Sequence, residues 1–155
     1  KPIPRWLTAL VKIVVASGLT ILLVVPPVLL TGPLVAGFDS GNLGTTLGYA
    51  VATMAGAVAY VAGFVALGAI TSRALLMGLG YVLLWEGALA GILEGTRYFS
   101  VRQATLGLAA GLTGESRGDD VLEPTISIVI LAVVTVVGFL LTARALQRFQ
   151  VRAGD

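Results

Sequence analysis

Long stretches without charge divide this chain. No charged residue lies between Lys12 and Asp39, nor between Asp39 and Arg73, and residues 124–143 are uncharged and dense in Ile, Val and Leu. A further run, residues 74–93, is broken by one charge, Glu86. A helix needs about 20 predominantly apolar residues to cross a ~30 Å hydrocarbon core. The pattern predicts spans at 13–31, 46–70, 74–93 and 124–143. Transmembrane β-strands would appear as alternating segments of about ten residues, and these runs do not alternate. Four such runs in a soluble domain would leave no polar face for water. The expected fold is an all-α integral membrane protein, one transmembrane domain over residues 1–155, built as a bundle of about four helices.

The connections add detail. Only Thr71, Ser72 and Arg73 join the second and third runs, which makes those helices antiparallel neighbours. Residues 94–112 mix Tyr98, Phe99, Val101, Leu106 and Leu108 with Arg97, Arg102 and Gln103. That blend predicts a re-entrant or interfacial helical hairpin, with aromatics at headgroup level. Residues 113–123 read as a polar outer loop. No period of 20–50 residues repeats.

Composition narrows the chemistry. Of 155 residues, 12% are charged, about half the usual share of a soluble domain. There is no Cys and no His, which removes thiolate metal sites and the commonest general base. Phosphate-loop, nucleophile-elbow and paired-histidine motifs are absent too. The reading is therefore a non-enzyme with no cofactor or metal. The net charge of +2 comes from basic residues that form no nucleic-acid-binding stripe. Instead Lys1, Arg5, Lys12, Arg73, Arg144, Arg148 and Arg152 fall on one side of the predicted spans. The positive-inside rule makes that side cytoplasmic, with both ends of the chain in the cytoplasm of a multi-pass plasma-membrane protein. The chain begins at Lys1 rather than a methionine, as a piece of a longer protein would. Residues 13–30 exceed a signal-peptide core of roughly 7–15 residues.

Several residues depart from plain lipid filler. Pro26 and Pro27 interrupt the first span and predict a bend. Gly56 and Gly63, with neighbouring alanines, and the G-x-x-x-G series Gly87, Gly91 and Gly95 predict close helix packing. Glu86 stands inside an apolar run, where a carboxylate costs on the order of 2.5–3.5 kcal/mol and belongs in the bundle interior. Two readings of it stay open: a functional carboxylate, or a brace where the helix breaks at Gly87. Glu94, Arg97 and Arg102 join it as candidates for translocation or gating.

Three stretches, in order, carry a likeness. KPIPRWLTALVK leads into the first span, LLWEGALAGILEGTRYFSVRQ covers residues 83–103, and an Arg-rich end follows the last span. This string resembles the permease subunits of ATP-binding-cassette transporters of the type-two exporter class. The likeness spans nearly the whole chain and corresponds to the third to sixth of that family's six spans. It implies that residues 85–87 close the fifth span and open short re-entrant helices. It also implies a second permease unit and a separate ATPase as partners, and a drug, lipid or polysaccharide as cargo. Competing readings are a small membrane scaffold or accessory subunit, and a gradient-driven transporter.

Overall fold

The computed structural model describes residues 5–37, 40–89, 94–114 and 121–148. Among them every regular element is a helix and no strand occurs. Three helices, α1 (Arg5–Ala36), α2 (Ser40–Ile70) and α5 (Pro124–Arg148), are long and apolar enough to cross a membrane. At ~1.5 Å per residue, α1 and α2 each reach about 45 Å, well beyond a ~30 Å hydrocarbon core. They outrun the apolar windows that predict them, because backbone hydrogen bonding continues into flanking polar residues such as Lys12 and Asn42.

Pro26, Pro27 and Pro33 all lie inside α1. Each deprives the carbonyl four residues earlier of its donor, yet the helix runs on through all three. It stops at Gly37, whose φ of 87° suits a residue without a Cβ and whose N–H reaches Pro33 O at 2.9 Å.

Helix α2 is central and packs on α1, α5 and the shorter α4 (Val101–Thr113). Its buried positions are mostly alanine, including Ala52, Ala59, Ala62 and Ala66. Small residues matter here because lipid offers no hydrophobic drive for helix association, leaving close packing to hold the helices. Glycines on the partner helices extend this. A Cβ at Gly138 of α5 would lie 2.7 Å from the Ala62 backbone. A Cβ at Gly56 would strike Thr105 of α4, and one at Gly107 of α4 would strike Ser127 of α5. Ala59, Val101, Ala104 and Leu131 close the core where α2, α4 and α5 meet. Gly48 faces Thr113 and Gly56 faces Thr105, while Gly107 faces Ser127 and Gly111 faces Pro124, so α4 runs opposite to both α2 and α5, and α2 and α5 run in the same direction.

The outward faces are the reverse of a soluble surface. Leu22, Leu23, Leu34, Val35, Leu75 and Leu76 are all more than 65% exposed, with Leu75 at 82%. Apolar patches of that extent mark a surface meant for another apolar phase.

The third run differs from the long helices. It begins as α3 (Ala74–Gly80), packed on α2, and then widens into a π-helical stretch, Tyr81–Leu89. The described helical path from Ala74 to Leu89 is at most about 24 Å long, short of the ~30 Å hydrocarbon core. Residues 90–93, the end of the predicted span, lie outside the described residues. A 3₁₀ turn (Glu94–Phe99) follows, and then α4, which ends at Gly114 with φ 70°. Thus the first third of the predicted 94–112 hairpin is a 3₁₀ turn and the rest, from Val101, is α-helix.

Candidate functional site

Glu86 lies in the π-helical stretch and is 3% exposed. A π-helix joins residues five apart, and the Tyr81 hydroxyl, five residues earlier, stands 3.1 Å from Glu86 Oε1. On the other carboxylate oxygen, Oε2, the hydroxyl of Tyr60 donates from α2. The remaining donors come from α4. Val101 N–H reaches Oε1 at 2.9 Å, and Arg102 N–H reaches it at 3.3 Å.

Those two amides are among the four N–H groups that any helix leaves without an internal partner. Gln103 N–H, a third, is taken by the Ser100 hydroxyl at 3.2 Å. The remaining one, Ser100 N–H, bonds Arg97 O at 3.2 Å, and the first intrahelical bond runs from Ala104 N–H to Ser100 O at 3.1 Å. Ser100 is fully buried, has the extended backbone of an N-cap, and caps from within the chain's own turn. Glu86 completes the cap from fifteen residues away. Its negative charge also sits at the positive end of the α4 dipole. Hydrogen bonds to a charged group contribute roughly 1.5–3 kcal/mol each, so several together offset the cost of burying this carboxylate.

A second bracket reinforces the first. The Phe99 carbonyl, at the end of the 3₁₀ turn, accepts from Trp85 Nε1 at 3.3 Å and stands 3.1 Å from the Tyr81 hydroxyl. The π-helical stretch therefore grips both the residue before the cap and the first turn after it.

Of the candidates predicted from sequence, Glu86 and Arg102 come together, Arg102 through its backbone N–H. Arg97 is half-buried in the 3₁₀ turn, and Glu94 opens that turn, its side chain lying outside the described residues. Gly56 sits at a close approach to Thr105. Gly63 does not: no atom lies within 4 Å of where its Cβ would be, so its smallness opens space. A Cβ at Gly87 would touch only Val82 O, at 3.5 Å. Gly91 lies outside the described residues, and Gly95 falls within the 3₁₀ turn. Pro26 and Pro27 are on α1, remote from this cluster in the chain.

Sequence reasoning missed Tyr60, Tyr81 and Ser100. Two signals point to them: the Ser100-x-x-Gln103 spacing of a capping box, and tyrosines set in otherwise apolar runs, whose hydroxyls need partners when buried. Among the described residues no group of acidic side chains is placed to hold a metal.

Beside the cluster, α2 and α5, with Gly78 of α3, Tyr81 and residues 98, 99 and 101, line a half-open apolar cavity of about 550 Å³. The rings of Tyr60 and Tyr81 form part of its wall while their hydroxyls hold Glu86. Compared with known protein families, curated proteins and solved structures, the chain gives no match.

Proposed function

We propose that this chain is the membrane-spanning part of a permease subunit of an ATP-driven exporter of the type-two ABC class, corresponding to that family's third to sixth spans. One observation carries the reading. The third apolar run carries a buried carboxylate, Glu86, in its π-helical stretch, and that carboxylate ties the run to α4. A penultimate span that turns into short re-entrant helices is what the resemblance at residues 83–103 implies. In this reading α1, α2, α3 with its π-helical extension, and α5 form four crossings, with α4 as half of an outer re-entrant hairpin. Both ends of the chain face the cytoplasm of the plasma membrane. Two such units enclose the path of a drug, lipid or polysaccharide, and a separate ATPase supplies the energy.

A second reading is favoured by the bonding of Glu86. Tyr60, Tyr81 and the α4 amides that hold it are the chain's own groups, as a structural brace requires, which suits a scaffold or accessory subunit equally well. The two readings separate in membrane vesicles from cells expressing the natural full-length protein. The permease reading expects co-purification of an ABC ATPase and ATP-dependent export that is lost with Glu86→Ala. Recovery of the protein with no ATPase at all would reject it and leave the scaffold.

A further inference from the structure

The 550 Å³ cavity is placed and shaped for one hydrocarbon chain. Its volume falls within the roughly 300–1,000 Å³ typical of ligand pockets. Along α2 it runs from Ala59 to Ile70, and along α5 from Val129 to Leu141. Eleven and twelve steps at ~1.5 Å each give a length of about 17 Å, parallel to the helices and close to half of a ~30 Å hydrocarbon core. The wall is apolar except for tyrosines at its inner end. Its rim residues Ile70, Val133 and Leu141 are exposed on the flank of helices suited to a membrane, so the mouth opens sideways onto lipid. Gly63 deepens it, with nothing in front of its Cβ position.

The other end of the cavity is marked by charge. Because α2 and α5 run in the same direction, Ile70 and Leu141 lie at one end of the bundle. Three residues beyond each stands an exposed arginine, Arg73 and Arg144. No acidic residue occurs in the sequence between Asp39 and Glu86 or between Glu123 and Asp155. Nothing in either stretch neutralises these two cations. A basic end above a leaflet-length apolar slot complements an anionic lipid, as basic pockets between membrane helices do.

We propose that this cavity is a binding site for an anionic phospholipid, one acyl chain lying in the groove that α2 and α5 form with α3 and Tyr81, and the phosphate meeting Arg73 and Arg144. The site is independent of any ATPase. The bound chain lies against the Tyr60 and Tyr81 rings, so the lipid buttresses the residues that hold Glu86.

The test uses the full-length protein in nanodiscs without ATP, with phosphatidylglycerol or phosphatidylcholine carrying a diazirine in the acyl chain. After photolysis, mass spectrometry locates the label. Phosphatidylglycerol is expected to label residues 129–141 preferentially over the outward residues of α1. Gly63→Leu should reduce that labelling about tenfold, the loss expected from excluding roughly two methylene groups. Val133→Phe, on the opposite wall at an exposed position, should do the same and serves if Gly63→Leu fails to fold. Arg73→Gln with Arg144→Gln should bring phosphatidylglycerol labelling down to the phosphatidylcholine level. Labelling spread evenly over all lipid-facing residues and indifferent to both filling variants would overturn the site. Equal labelling by both lipids in the wild type would overturn the anionic assignment. Cross-links from residues 129–141 to a second copy of the chain would make the cavity a helix interface instead.

Discussion

The two flanks of α2 are held by different physics. Toward α5 and α4, the contacts are steric, with Gly138 against the Ala62 backbone and Gly56 against the Thr105 side chain. Toward the π-helical stretch, the contact is a carboxylate ringed by hydroxyls and amides. Close packing is short-ranged and tolerates no added atom. A hydrogen-bonded cluster is directional, and its partners can be exchanged one at a time. Where water is excluded, each device is a full substitute for the hydrophobic effect that holds soluble cores. The first fixes the frame, and the second ties the short helix to it.

The largest expected effect breaks the packed flank. Gly138→Leu places a side chain against backbone atoms at 2.7 Å, which have no rotamer to yield. Destabilisation by about 3 kcal/mol or more is expected, read from unfolding in mixed micelles. A variant as stable as wild type would show that α2 and α5 are not closed by that contact.

On the other flank, Glu86→Ala strands the Tyr60 hydroxyl and two α4 amides, for a loss of about 2–3 kcal/mol. Amide exchange should accelerate at Val101 and Arg102 well before it does on α2. Uniform acceleration across both helices would mean the cluster is not a local cap. Glu86→Gln keeps an acceptor for α4 and offers an amide to Tyr60, so about 1 kcal/mol is expected. Ser100→Ala removes only the inner cap, again about 1 kcal/mol, and should add to Glu86→Ala less than fully because both serve one helix end.

The smallest effect sharpens the contrast within one helix. Gly63→Ala meets nothing and should change stability by less than about 0.5 kcal/mol. Gly56→Ala meets Thr105, whose hydroxyl is committed to Val101 O at 2.8 Å, and should cost measurably more. Equal midpoints for the two variants would erase the distinction between them.

Much of the frame was legible in the sequence because lipid imposes length and apolarity on any helix that crosses it. Charge gaps located α1, α2 and α5, although not their ends, since hydropathy marks the apolar window while the backbone helix runs past it. The Pro26-Pro27 pair lies within α1, whose helix continues on both sides of it. Glu86 was visible as an anomaly, but its partners were not. Glu86 and Val101 are fifteen residues apart, and Tyr60 is on another helix, so no local periodicity connects them. Gly56 and Gly63 look alike in sequence, each seven residues from the other in the same small-residue stripe. What separates them is whether another helix happens to lie opposite.

The Tyr81 hydroxyl has a consequence of its own. It has one proton and two oxygens at the same 3.1 Å, Glu86 Oε1 and Phe99 O. Turning about a single C–O bond moves the donation from a side chain of its own helix to the backbone just before α4. No heavy atom need shift, and neither acceptor is left bare, since Val101 N–H keeps Oε1 and Trp85 keeps the carbonyl. The joint between the third run and its returning helix thus has two alternative fastenings for one proton, the charge-assisted one to Glu86 being the stronger.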